Sequence, residues 1–424
     1  MNAIDRLSED FARELDREDP LASYRDLFHV PPGPNGAECI YLTGNSLGLQ
    51  PKTARAYVEQ ELDDWARFGV EGHFHARNPW MPYHEFLTEA TARLVGAKPH
   101  EVVVMNTLTV NLHLMLTSFY RPAGARTKLL MEKSPFPSDR YAFESHARLH
   151  GLDPREAILE LEPREGEALL RHEDILATIA REGDRIALVV LGNPNYLTGQ
   201  VFDVEAITKE GHAKGCKVGF DFAHGAGNLE LALHAWGPDF AVWCNYKYLN
   251  AGPGGLAGCF VHERHANDRG LPRLAGWWGH DKATRFQMGP EFVPIAGAEG
   301  WQLSNPPILQ LAALRASMEI FDRATMKALR AKSEKLTGYL EELLRAIPGE
   351  PVTIVTPTNP RERGCQLSLR VRGDAKALQA RLVEAGVIVD FREPDVIRAA
   401  PTPLYNRFVD VHRFAQILRQ HANA

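Results

Sequence analysis

Three short stretches carry residue types with chemistry in reach of one another. In AVWCNYKYLNAGPGG (241–255) an apolar run ends in Lys247, flanked by Tyr246 and Tyr248 and followed by Gly252, Pro253, Gly254 and Gly255. In KVGFDFAHG (217–225) an apolar run ends in Asp221, with His224 close behind. In VVVMNTLTV (102–110) a third run ends at Thr107, Leu108 and Thr109, just before a helix-like repeat. Each has an ordinary explanation when taken alone. A threonine before a helix caps it, an aspartate after a strand makes a turn, and a lysine extends to water along its own stem.

Taken together they match the three functional groups of one cofactor, pyridoxal phosphate. Its aldehyde needs a partly desolvated amine that can form a Schiff base, and Lys247 is the candidate. Its pyridine nitrogen must stay protonated for the ring to act as an electron sink, which a buried Asp221 enforces by charge pairing. Its phosphate needs free N–H groups at a helix N-terminus, which Leu108 and Thr109 offer with the Thr109 hydroxyl added. The glycines after Lys247 are expected to let the backbone approach closely where a side chain would collide.

The three ends must converge, and the rest of the chain reads as a fold that gathers strand ends. In open α/β sheets, ligands sit beyond the carboxyl ends of the strands. VVVMN (102–106), KLLMEK (128–133), IALVVLGN (186–193) and KVGFDFAHG read as strands. Leu112, Met115, Leu116 and Phe119 fall on one helix face, and AITKEGHAKG (206–215) is a further helix. This alternation predicts an α/β fold with a mainly parallel sheet sandwiched by helices. After SNPPIL (304–309) come a long helical stretch to about residue 347, an alternating strand QLSLRVRG (366–373), a helix over 375–385 and a strand VIVDFRE (387–393). We expect a large domain over 51–310, a smaller α+β C-terminal domain over 311–424, and an N-terminal segment, 1–50, packing with the small domain.

Bulk properties exclude several classes. At 424 residues the chain exceeds a single core. Its 44% hydrophobic and 24% charged residues suit an ordinary soluble protein, and a net charge of −6 without a basic cluster argues against nucleic acid or anionic membrane as partner. The acidic N-terminal stretch lacks the apolar core of a signal peptide, and no window is apolar enough to span a bilayer. Five scattered cysteines without C-x-x-C spacing point to a reduced, cytoplasmic protein. His73 with His75, and His224 with His234, lack further ligands at a recognised spacing, so no metal is expected.

The chain also resembles a known family over nearly its whole length: kynureninase, among the fold-type I, aminotransferase-like pyridoxal phosphate enzymes. The resemblance rests on YLTGNSLGLQPK (41–52), TLTVNLHLML (107–116), FPSD (136–139), YLTGQ (196–200), GFDFAHGAGN (219–228), CNYKYLNAGPGG (244–255), GWWGH (276–280), LSNPPIL (303–309) and IRAAPTPLYN (397–406). It implies that Lys247 carries the cofactor, Asp221 pairs with its ring nitrogen, His224 lies beside it and Phe136 stacks on its face. Leu108, Thr109, Ser138 and Tyr246 would hold the cofactor with Asp139 nearby, and Tyr246 would give acid–base help. Trp277 and Asn305 would belong to the cofactor site, Trp277 from the neighbouring subunit of a homodimer with shared active sites. Arg398 would clamp the substrate α-carboxylate, with His73, Ser304 and Asn305 around its aryl ring. Gly192 stands where some relatives have a hydroxyl residue. The implied reaction is hydrolysis of the Cβ–Cγ bond of kynurenine or 3-hydroxykynurenine to anthranilate or its 3-hydroxy form and L-alanine, in tryptophan catabolism or NAD-related metabolism. The rival readings are a cysteine desulfurase, for which Cys365 is the tempting thiol, an aminotransferase, and a catalytically retired scaffold of this fold that only binds.

Overall fold

The computed structural model describes residues 5–422. Seven strands build the central sheet: β1 (Val102–Met105), β2 (Lys128–Glu132), β3 (Ile158–Leu161), β4 (Ile186–Gly192), β5 (Lys217–Asp221), β6 (Phe240–Cys244) and β7 (Ala257–Val261). Their order is β1-β7-β6-β5-β4-β2-β3, and β7 alone runs against its neighbours. Unbroken apolar runs are what strands covered on both faces require. The whole of β6 is buried, as is β4 up to its last residue. Because the other strands run the same way, the carboxyl ends of β1, β2, β4, β5 and β6 share one edge. Helix α1 (Leu108–Phe119) leaves that edge after β1, and α2 (Pro137–Leu149) leaves it after β2.

A second, antiparallel sheet combines β8 (Val352–Ile354), β9 (Leu367–Val371), β10 (Asp390–Arg392) and β11 (Val396–Ala399) in the order β8-β9-β11-β10. The strand expected over 387–393 is divided. Val387 and Ile388 pair in parallel with Ile40 and Tyr41, while Asp390 to Arg392 join β11. The long helical stretch is divided too, into α3 (Ile308–Ala324) and α4 (Met326–Arg345). Thr325, at φ 64°, makes the break, and its hydroxyl accepts the Ala328 N–H to start α4.

The change of core falls later than the change in sequence texture near 310. Leu311, Met318 and Phe321 of α3 pack into the core around the central sheet, and Leu329 follows them; Leu336 onward packs into the second core. The first fifty residues are shared between the two. Ala12 enters the second core, whereas Leu21, Phe28 and Leu49 enter the first.

Candidate active site

Lys247 lies three residues beyond the end of β6, in a turn rather than in the strand itself, and is only 9% exposed. Its Nζ is 3.2 Å from His224 Nε2 and 5.7 Å from the centre of the Phe136 ring. The turn is held from outside by the GNSLG stretch: the Gly48 N–H donates to the Tyr246 carbonyl at 2.9 Å. A Cβ at Gly48 would stand 2.3 Å from the Lys247 carbonyl oxygen, so only glycine fits there. Of the glycines that follow Lys247, Gly255 meets the expectation, since a Cβ there would stand 2.9 Å from the Gly252 carbonyl oxygen, while two others act differently. Gly252 and Gly254 have open space where a Cβ would be, and their φ of 90° and 65° gives the left-handed turn that glycine adopts freely.

Lys247, Asp221, His224 and Tyr246 face one cavity. Leu108, Thr109, Phe136, Ser138 and Asp139 close its other side. Thr107 precedes α1 in extended conformation but makes no capping bond, and Phe136 leads into α2 without one. Helix geometry leaves the first N–H groups of α1, and that of Ser138 in α2, without intrahelical partners; Pro137 has no N–H, and the Asp139 N–H donates to the Phe136 carbonyl at 2.9 Å. The Thr109 and Ser138 hydroxyls, 2.9 Å apart, bring these two helix ends together. Two positive dipole ends with two hydroxyls make a seat for a phosphate.

Three buried acids, Asp221, Asp139 and Glu132, also line the cavity. Asp221 accepts the Ala223 N–H at 2.7 Å. Burial pushes its carboxyl up, and the Lys247 charge pulls it back. Asp139 is pushed well above the carboxylate range by burial and then by the Asp221 charge. Glu132, 2% exposed at the end of β2, is raised to about 7 by burial, while the Gly192 N–H, 3.1 Å from its Oε1, favours the anion. His224 is driven well below the usual imidazole range by burial, then by the charges of Lys247, Arg398 and Arg392, so its ring is neutral. Burial, and next the Cys244 thiol, push Tyr246 up, so it is a neutral phenol. The Nδ1 of His224 and the Oδ1 of Asp139 are buried without a partner.

An amine, an acid and an anion seat thus face one cavity, and these residues fit pyridoxal phosphate. A wider cleft of about 960 Å³ opens between residues 167–173 and 359–362, but its lining has no lysine. Arg398, on β11 and 1% exposed, donates to the Tyr196 carbonyl at 2.8 Å, and Tyr196 lines the cofactor cavity. Arg398 itself does not line that cavity, and neither do four other expected residues in this chain. Trp277, 40% exposed, donates to Asn305 at 3.0 Å; Ser304 is exposed; His73 rests half-buried against Trp80.

Residues 329–418 match the kynureninase C-terminal domain. Over 415 residues the chain is 67% identical to a kynureninase of Myxococcus xanthus, covering 98% of this chain and 97% of that one. With a kynureninase of Koribacter versatilis the identity is 61%, covering 96% of each. The chain belongs to the kynureninase family. Among solved structures it is similar in fold to a cysteine desulfurase of Escherichia coli, with a TM-score of 0.77, 17% identity, and coverage of 95% and 98%. A C-DES variant with glycine linked to its PLP cofactor gives a TM-score of 0.76 at 19% identity, covering 93% and 98%. The fold is that of the fold-type I pyridoxal phosphate enzymes, and the cofactor of this family member is pyridoxal phosphate.

The desulfurase reading of Cys365 fails on position. The residue is fully buried next to Tyr248, and burial pushes its thiol up to about 12, far from a mobile thiolate nucleophile. His224 pairs with Lys247, not with His234. His234 instead meets Glu101 and stacks on His262; the Lys98 and Glu263 N–H groups donate to Glu101 at 2.8 Å and the Arg264 N–H donates to His262 at 3.1 Å. Glu132, Tyr196 and Gly192 line the cofactor cavity and were missed or set aside in the sequence. Position gave the one available signal: Glu132 and Gly192 are the last residues of their strands, as Asp221 is of its own.

Proposed function

We propose that this protein cleaves the Cβ–Cγ bond of L-kynurenine or its 3-hydroxy form by hydrolysis, releasing the anthranilate and L-alanine. The observation that carries this is the facing of Lys247, Asp221 and the twin helix ends into one cavity, in a chain of this family. When bound, pyridoxal phosphate supplies an aldehyde for covalent attachment of the substrate amine and a protonated ring that draws electrons from the α-carbon.

The protein's own groups do the rest. The first turns of α1 and α2, with the Thr109 and Ser138 hydroxyls, bind the phosphate. Phe136, 41% exposed toward the cavity, covers the ring face. Asp221 holds the proton on the ring nitrogen, and the burial that makes its anion costly in the free protein strengthens that pairing. Lys247 Nζ takes the α-proton and returns it, with the neutral His224 ring accepting from it at 3.2 Å. Tyr246, kept as a phenol, donates at the γ-carbonyl oxygen as water adds. Arg398 binds the α-carboxylate.

The working unit is a homodimer with shared sites, in which Trp277 and Asn305 reach the cofactor, and His73 and Ser304 the aryl ring, across the interface. Support comes from their absence from the lining of this chain's own cavity and from the exposed apolar residues Trp65, Phe74, Phe86, Phe286 and Met288. The compartment is the cytoplasm, supported by five buried free cysteines; among the described residues no helix is long and apolar enough to cross a membrane. Mixing the purified protein with pyridoxal phosphate and L-kynurenine should produce anthranilate fluorescence. No anthranilate and no alanine from either substrate form would end this assignment.

A further inference from the structure

The substrate-binding arginine is not free in space: it is already held by a carboxylate. Asp390 and Arg398 stand directly opposite each other on β10 and β11. At such a position the side chains project to the same face and meet. Asp390 takes the Nε–H of Arg398 at 3.3 Å and an Nη2–H at 2.6 Å. The Tyr196 carbonyl takes an Nη1–H at 2.8 Å and is fixed in turn by the Gln366 amide at 3.1 Å. A guanidinium has five N–H donors in a rigid plane. Three are used, which leaves one on each terminal nitrogen. Those two form the fork that a carboxylate takes in bidentate fashion.

Charge points the same way. Arg392 also binds Asp390, at 3.0 Å, and its buried Nε has no partner. Two guanidiniums share one carboxylate, so the cluster keeps one net positive charge for an incoming anion. The ring of Tyr196, 5.9 Å from the Arg398 guanidinium carbon, meets Phe136 edge-on at 5.5 Å, which ties this cluster to the wall of the cofactor cavity.

We infer that Asp390 is the positioning residue of the substrate site: it holds the inner edge of Arg398 so that the outer edge alone receives the α-carboxylate. The inference rests on reading Arg398 as the carboxylate clamp. An arginine buried to this degree without its acid partner has rotamers to lose and a desolvated charge to satisfy. Its fork then meets the substrate in many orientations rather than one.

The test compares wild type, D390N, D390E and R398A, each loaded with cofactor, using two ligands: L-kynurenine, and kynuramine, the same molecule without its α-carboxylate. In D390N, KM for L-kynurenine should rise by about tenfold or more, with kcat changed far less, as expected for loss of a bidentate charged contact. Inhibition by kynuramine should stay within about twofold, because that ligand never uses the fork. D390E, which returns the charge on a longer arm, should recover part of the loss, and it carries the same comparison if D390N does not fold. An unchanged KM, or equal weakening of both ligands, would overturn the proposal. R398A separates the two readings. If it still prefers L-kynurenine over kynuramine as wild type does, the clamp itself is elsewhere. If it loses that preference while D390N keeps it, Asp390 alone is misassigned.

Discussion

Replacing Glu132 with glutamine tests whether the base of the cofactor cavity is built from protonated acids. Glutamine keeps the shape and an oxygen to accept the Gly192 N–H, and removes only the titration. In the fold Glu132 titrates at about 7 instead of the ordinary 4.5, because its carboxyl is buried. The folded state therefore binds this proton more tightly than the unfolded chain does. The stabilisation is complete below about pH 4.5, declines as pH rises and is gone above about pH 7. At about 1.4 kcal/mol per pH unit, the wild type gives up roughly 3 kcal/mol across that range. Part of the decline is already spent at pH 5, so about 2–3 kcal/mol falls between pH 5 and pH 8. E132Q has no such decline. Urea unfolding of the cofactor-free proteins, followed by tryptophan fluorescence at both pH values, measures the offset, and groups common to both proteins largely cancel. E132Q should gain about 2–3 kcal/mol on wild type from pH 5 to pH 8. An offset equal at the two pH values would mean that Glu132 ionises normally, and the account of a proton-loaded cavity would be wrong.

Other outcomes follow from the same geometry. Lys247→Ala should abolish anthranilate release, since among the described residues no other lysine lines the cavity; substantial turnover would refute its role. Asp221→Ala should cut kcat by several orders of magnitude and weaken cofactor retention, read by absorbance after dialysis; normal turnover would remove the ring-nitrogen role. Cys365→Ser should leave kynurenine cleavage within a few-fold of wild type. Loss of cleavage there, with no loss of folding, would reopen the thiol mechanism. Mixing Lys247→Ala with Trp277→Ala subunits should restore part of the activity that each lacks alone. No restoration on mixing would argue against sites shared between subunits.

Local pattern determined much of this protein. Apolar runs with a polar residue at the end reported which strands are buried and where they stop, because burial is dictated by side chains a few residues apart. That was enough to single out Thr109, Asp221 and Lys247 and to name the chemistry that joins them. The break at Thr325, the division of 387–393 and the late change of core were illegible, because each depends on which distant segment competes for the same backbone groups. Pairing decided the rest. Glu132 looks like any polar residue after KLLM until β2 and β4 lie side by side and its carboxyl meets the Gly192 N–H. Asp390 is one acid among many until a register sets it opposite Arg398. Electrostatic character belongs to the folded surroundings: the same carboxyl is an ordinary acid in water and a proton holder once strands 60 residues apart remove the water around it.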